Sequence, residues 1–277
     1  MPVEYRDGKT VIIMAFNDVF GQQLAQSFRK LRWNVKQMTP TDRYQPCDLL
    51  IIKSSRRPDL VDQYTQNNTP VFIYDWGYFH RVNAPDQHRD GHWQISYQEL
   101  NTMPDWVLPP DRFNSTTATI GRKKHDKDGY VLVCGQMPND AAVAGTDHKI
   151  WLIEQCEHYI EQGYDVRYRE HPRGGVKLSY PTAHKDLMTA MRGAKFIVTY
   201  NSNVGHDALL AGIPVVCDPS APYAELSGEN LPSKPKRLKY FSRAAYGQWT
   251  YKETDQAVDF MINHWMPRLY MSAATDI

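Results

Sequence analysis

The stretch FIVTYNSNVGHDALLAGIPVVCDPSAPY, residues 196–223, passes from an apolar segment into a polar corner, then a helix pattern, then a second apolar segment. Strand, corner, short helix, strand is the order a parallel sheet uses to hold a ligand at its carboxyl edge. Ser202 and Asn203 stand where the helix begins, with Val204-Gly205 in its first turn. The N–H groups and the positive dipole end of such a helix start favour an anion, commonly a phosphate. Capping by Asn201 or Ser202 accounts for the same residues without a ligand. Gly205 lets a ligand or a neighbouring strand come near, and Asp207 either reaches a ribose hydroxyl or merely occupies a first turn, where acids are favoured.

Outward from this stretch the chain alternates strand and helix patterns. Thr10 to Phe16 predicts a buried strand, Asp18 can cap a helix over roughly Phe20 to Leu31, and strands follow at Asn34 to Met38 and Cys47 to Lys53. Asp59 to Gln66 predicts a helix and Pro70 to Asp75 a strand, with the aromatic Trp76-Gly77-Tyr78-Phe79 at its end. Between about Asn101 and Asp128 the pattern gives way to Pro, Asn, Ser and Thr and then to a charged run, which marks a domain boundary. The rhythm restarts at Tyr130 to Cys134, followed by a helix from His148 to Gln162, a strand from Asp165 to Glu170 and a helix over roughly Ala183 to Gly193. Helical spacing returns near Asp255 to Met271. The expectation is an α/β chain of two Rossmann-like domains, 1–125 and 126–254, with a closing helix at 255–277.

Composition narrows the function classes. The 277 residues suit two domains of ordinary size, and 42% hydrophobic residues suffice for packed cores. A formal net charge of +1 asks for no acidic partner globally, so nucleic-acid or membrane contact falls to local patches. Cys47, Cys134, Cys156 and Cys217 share no CxxC spacing, which predicts neither disulfides nor a zinc site and fits a reducing cytoplasm. The amino-terminal residues show no signal region, and no stretch approaches the ~20 apolar residues that span a bilayer.

Two further loops follow strands of the second half. Gly135-Gln136-Met137-Pro138-Asn139-Asp140 lets Gln136 and Asp140 face a cleft, where Asp140 serves as a general base or simply caps a turn. Glu170-His171-Pro172-Arg173-Gly174-Gly175 sets His171 and Arg173 beside a glycine pair, suited to a phosphate or merely solvated.

In order along the chain, GQxxxD, HP and NSxxGxxALLxGxPVVxD resemble glycosyltransferases of the GT-B type, most closely capsule polysaccharide biosynthesis proteins related to bacterial Kdo transferases. The resemblance covers roughly Tyr130 to Tyr223. It implies two Rossmann-like domains facing across a cleft, the first for the acceptor and the second for a nucleotide-sugar donor, with the carboxyl-terminal helix closing back on the first. It implies Asp140 as catalytic base and His171 as the donor-phosphate histidine. Gly135, Gln136, Arg173, Ser202, Asn203, Gly205 and Asp207 would surround the donor. Asn203 replaces the usual threonine and Asp207 the usual glutamate. No metal or other cofactor is implied, and the Asp126-Lys127-Asp128 run lies in the charged linker rather than at a strand end.

For the acceptor, basic clusters occur at Lys53 with Arg56 and Arg57, at Arg122-Lys123-Lys124, and from Lys234 through Lys236, Arg237 and Lys239 to Tyr240 and Phe241. Basic residues interleaved with aromatics suit phosphate contact and base stacking, and a solvated loop is the plainer reading. Compact bacteriophage enzymes that glycosylate hydroxymethylated pyrimidines are similar in size and architecture. That likeness makes DNA the expected acceptor, with Lys236, Arg237, Trp76 and Tyr78 as contacts and the host cytoplasm as the setting. A glycan acceptor, a nucleotide-sugar epimerase and a nucleic-acid-binding module without chemistry are the alternatives.

Overall fold

The computed structural model describes residues 8–15, 18–41, 43–54, 57–81, 91–122 and 126–269. Phe16, Arg56, Lys123, Lys124 and the end of the expected closing helix lie outside the described residues. By contacts the chain divides into two units, Met1–Trp106 with Arg243–Ile277, and Val107–Ser242. The elements run β1 (Thr10–Met14), α1 (Val19–Lys30), β2 (Asn34–Met38), β3 (Leu49–Lys53), α2 (Pro58–Gln66), β4 (Val71–Trp76), β5 (His92–Tyr97) and α3 (Asp111–Ser115). There follow β6 (Tyr130–Cys134), α4 (His148–Glu161), β7 (Val166–Arg169), α5 (Leu187–Arg192), β8 (Ala194–Thr199), α6 (Val204–Ala211), β9 (Val215–Cys217), α7 (Lys234–Tyr246), β10 (Gln248–Thr250) and α8 (Thr254–Phe260).

The first unit holds a six-stranded sheet in the order β10-β5-β4-β3-β1-β2. β2, β1, β3 and β4 are parallel, β5 runs antiparallel to β4, and β10, antiparallel to β5, points the same way as the parallel set. β1, β3 and β4 are near-continuous apolar runs because both faces are covered, whereas the edge strand β2 has no buried residue. On one face Leu60, Val61 and Tyr64 of α2 pack on Ile12, Leu50 and Ile73. On the other, Phe20 of α1 meets Tyr74 and Trp93 at ring-centroid distances of 5.4 and 5.6 Å. Asp18 caps α1, accepting the Gly21 N–H at 2.9 Å. The carboxyl-terminal part belongs to this unit, since Ser27 of α1 donates to Asp255 at 2.7 Å and Trp249 of β10 pairs in register with Trp93.

β5 and β10 have no forerunner in the sequence pattern, for a physical reason. HWQISY carries Gln94 and Ser96 at buried positions, so it lacks an apolar run. Those side chains satisfy one another internally: Ser96 donates to Gln94 Oε1 at 2.9 Å and Gln94 Nε2 to the Trp76 carbonyl at 3.0 Å. Gln248 likewise accepts the N–H groups of Tyr78 and Phe79 at 2.8 and 3.1 Å and donates to the Phe79 carbonyl. This overturns one acceptor assignment. Tyr78 is 0% exposed, a core side chain that cannot line an acceptor pocket. Trp76 is half-buried and stacked on Trp93 with ring centroids 4.9 Å apart.

The second unit holds a four-stranded parallel sheet, β7-β6-β8-β9. Its core is built from Val131, Val133, Phe196 and Val198 against Leu152, Cys156 and Tyr159 of α4. The helix expected from Ala183 is shorter, starting at Leu187 behind an Asp186 cap, because Thr182 is drawn into a bridge with Tyr168. The closing helix begins at Thr254 and relaxes into a π-helical turn over Met261–Trp265. Among the described residues no helix is long and apolar enough to cross a membrane.

Candidate active site

Because the second sheet is parallel, its strands all end at one edge. Cys134 pairs with Arg169 and with Thr199, so the loops opening at Gly135, Glu170 and Tyr200 start side by side. The GQxxxD, His-Pro and Asn-Ser-Asn segments therefore meet at a single sheet edge.

In the first loop, a Cβ on Gly135 would overlap the hydroxyl of Tyr168, which itself donates to the Val176 carbonyl at 2.6 Å. Gly135 thus makes room for a tyrosine rather than for a ligand. Gln136, expected to face a cleft beside the donor, is instead turned into the protein. It is 6% exposed, its Nε2 donates to Asn201 Oδ1 at 2.9 Å, and its Oε1 accepts the Asn201 N–H at 3.1 Å. The physical reason is that a buried amide needs partners at both ends, and Asn201 supplies them. Asn201 Nδ2 then donates to the Ala142 carbonyl at 2.6 Å, and Ala142 N–H donates to Asp140 Oδ1 at 3.0 Å. Asp140 caps the tight turn Ala141–Val143 and remains half-buried at the edge. Beneath the loop, the Gln136 N–H donates to His148 Nε2 at 3.1 Å. Burial holds the His148 pKa below the ordinary imidazole range, so the ring is neutral and able to accept.

In the second loop, His171 is half-buried and its Nδ1 accepts the Arg173 N–H at 3.3 Å. With Nδ1 accepting, the neutral ring carries its proton on Nε2. Burial first, then the charges of Arg173 and Arg169, push the His171 pKa down, while the Asp140 carboxylate pulls it up. His171 and Asp140 therefore lie within electrostatic reach of one another. Arg173 itself is exposed. Arg169, the last residue of β7, is a cation next to this histidine that no motif marks.

In the third loop, Ser202 Oγ accepts the Val204 N–H at 3.3 Å and its carbonyl accepts the Tyr223 hydroxyl at 2.6 Å. Gly205 departs from expectation, for a Cβ there would overlap the Tyr223 ring, so the missing side chain accommodates that aromatic. Asn203 precedes α6 in helical conformation, and its Oδ1 lies 3.1 Å from His206 Nδ1. His206 is 0% exposed, and its Nε2 lies 2.7 Å from the Tyr240 hydroxyl. Asp207 is half-buried in the first turn. His148 and His206 escape notice in the sequence because each sits where helical packing alone would explain it. The three-residue spacing of Asn203 and His206, a contact spacing on a helix, is the signal that could have found the pair.

The basic–aromatic stretch does not form a binding surface as a whole. It folds as α7, and Arg237, Tyr240 and Phe241 are buried on its inner face. Arg237 donates to the carbonyls of Leu209 at 2.7 Å, Gly121 at 3.1 Å and Pro232 at 3.1 Å. It ties the helix to its own unit and is only 3% exposed, so the expected DNA contact at Arg237 is withdrawn. Lys236 is exposed.

No protein-family model and no curated protein matches the sequence. Among solved structures the chain is similar to the KpsC β-Kdo 2,4-transferase of Thermosulfurimonas dismutans, with 12% identity, a TM-score of 0.55, and 89% of this chain and 93% of that chain covered. It is also similar to the KpsC β-Kdo 2,7-transferase of the same organism, with 13% identity, a TM-score of 0.51, and 91% and 98% covered. The fold is GT-B glycosyltransferase-like. At such identity the likeness speaks for the GT-B-like fold, and the residues at the sheet edge carry the functional argument.

Proposed function

We propose that this protein is a glycosyltransferase that moves a sugar from a nucleotide-sugar donor to a hydroxyl of a glycan acceptor. The observation that carries the reading is that the loops bearing Asp140, His171 and the Ser202–Asn203 corner open side by side at one edge of a parallel sheet. The acceptor oxygen attacks the anomeric carbon while the bond from that carbon to the phosphate oxygen breaks. Asp140 takes the hydroxyl proton. The negative charge growing on the phosphate is met by the Nε2–H of His171, the cations Arg169 and Arg173, and the start of α6. Arg169 is held for this task by donating to the Lys185 carbonyl at 3.1 Å.

The glycan acceptor is favoured over hydroxymethylated DNA because the stretch that suggested DNA has its arginine and both aromatics buried. A Kdo-type sugar is the first donor to try, given the GT-B-like fold shared with the two KpsC transferases. The test is to incubate the protein with a panel of nucleotide sugars, nucleotide-activated Kdo included, against oligosaccharide acceptors and hydroxymethylated DNA in parallel. A sugar-shifted oligosaccharide by mass spectrometry, lost in Asp140→Asn, supports the reading. Donor conversion without any acceptor, or no product from any donor, overturns it.

A further inference from the structure

The first sheet has a switch point of its own. From β1 the chain crosses to β2 on one side and then returns to β3 on the other, and the crevice at the carboxyl ends of β1 and β3 is where an open parallel sheet takes a ligand. Asp18 follows β1 and Lys53 ends β3, and the two meet there, with Lys53 Nζ 3.2 Å from Asp18 Oδ2. Lys53 pairs in register with Tyr74, and Trp76 with Trp93. The four side chains therefore share one face of the sheet, the face on which Phe20 of α1 meets Tyr74 and Trp93. The Asp18 side chain is 1% exposed and also accepts the Gly21 N–H at 2.9 Å and the Tyr74 O–H at 2.7 Å. Burial, and then the Asp18 charge, push the Tyr74 pKa well up, so that hydroxyl keeps its proton and donates. Lys53 Nζ also lies 5.1 Å from the centre of the Trp93 ring.

Three features define what this cluster can hold. Asp18 and Lys53 cancel one another's charge, and Asp18 repels any anion brought up to the ammonium. Donors are in surplus: the ammonium has three N–H bonds and pairs only with Asp18 among the described residues, and the buried Nε1–H of Trp93 meets no acceptor among them. Trp76 ends β4 with its ring stacked on Trp93 at 4.9 Å and is only half-buried, so part of it reaches solvent. An uncharged ligand rich in oxygen acceptors, with one apolar face, answers all three. A pyranose ring is such a ligand: its hydroxyl oxygens accept from the ammonium, and its C–H bonds, slightly positive, lie against the negative face of an indole. We propose that Lys53 and Trp76, held by Asp18, Tyr74 and Trp93, form a sugar-binding subsite in the first unit that takes an uncharged pyranose of the glycan acceptor. The inference rests on the transferase reading above and deepens it by naming the acceptor class. Packing alone does not account for a lysine at the end of the apolar strand LLIIK, since a buried ion pair stabilises no better than apolar side chains of its size.

Saturation-transfer NMR titrations of the full chain, with no nucleotide sugar present, test it. The probes are the methyl glycosides of glucose, galactose, mannose and N-acetylglucosamine, each beside its uronic acid and its 6-phosphate. At least one neutral glycoside is expected to bind, with the signal on its ring C–H protons, about tenfold tighter than its charged analogues. Trp76→Ala, its fold checked by circular dichroism, is expected to weaken that binding about tenfold, and Lys53→Met about fivefold. Asp18→Asn keeps a cap for α1 but leaves the ammonium uncompensated, so the uronic acid is expected to gain about tenfold on the neutral glycoside. A merely structural ion pair produces no such change of preference. Binding of no neutral glycoside, tighter binding of a charged analogue by the unmutated protein, or binding left intact in Trp76→Ala each overturns the proposal. A protein that fails these titrations yet transfers sugar to an oligosaccharide removes the inference alone. Titrations as expected in a protein that transfers to nothing remove the transferase reading and leave the sugar site supported.

Discussion

Asp140 caps a turn and is proposed to take the acceptor proton, and one substitution separates the two tasks. Asp140→Asn keeps an oxygen for the Ala142 N–H but cannot take a proton. Transfer is expected to fall by about 10²–10⁴-fold, with nucleotide affinity and melting temperature close to wild type, measured by single-turnover product formation beside calorimetry. Arg237 is the opposite case. Replacing it by methionine strands three carbonyls and is expected to destabilise by about 2–4 kcal/mol in urea unfolding, whereas Lys236→Met changes stability little. Both residues belong to one basic run in the sequence, and burial alone divides them. The candidate site was legible in part for this reason. Asp140, His171 and Ser202 stand out by residue type after a strand, but nothing in a linear string tells whether Gln136 or Gly205 serves a ligand or a neighbouring side chain. The glycine can be checked too: Gly205→Ala is expected to cost about 1–3 kcal/mol through overpacking, with partial recovery when Tyr223→Leu is added, read from denaturation midpoints.

At the level of elements, the coupling between loops runs from His148 through Gln136 and Asn201 to the Asp140 turn. His148 must be neutral to accept the Gln136 N–H, and its pKa lies below that of the unfolded chain. Above about pH 6.5 neither state binds the proton, so stability is fully present there. As pH falls below that value the unfolded chain takes up a proton that the native ring refuses, and stability drops by at most about 1.4 kcal/mol per pH unit until the native pKa is passed. Thermal melts between pH 7.5 and 5.5 should show this loss in wild type and a shallower one in His148→Gln, which starts from a lower melting temperature. The elements that were legible in the sequence are those whose burial follows a simple period. β6 matches its apolar run residue for residue, and α1 starts at the Asp18 cap. β5 was hidden because its buried positions are polar and satisfied pairwise. α7 was hidden because basic residues and a proline crowd its first half, although Arg237, Tyr240, Phe241 and Ala244 repeat at the three-to-four-residue spacing of a buried helix face.

For the whole molecule, the informative feature is that the first unit is made from both ends of the described chain, with the second unit inserted between. β10 covers the open side of β5, and α8 with its π-helical turn buries Ala257, Val258, Met261, Ile262 and Trp265. Ending the chain after Gly247 is expected to leave β5 as a bare edge and to collapse hydrogen-exchange protection in β1, β3 and β4, while β6 and β8 stay protected. A truncation that spared the first sheet would show that β10 and α8 contribute little to it. The interrupted path also bears on biosynthesis. As the polypeptide emerges from the ribosome, the earlier-made half has to wait, its sheet short of one strand until β10 has been translated and its helix α1 without its cover until α8 follows. The half made later can complete itself first, so the order of folding is expected to reverse the vectorial order of synthesis.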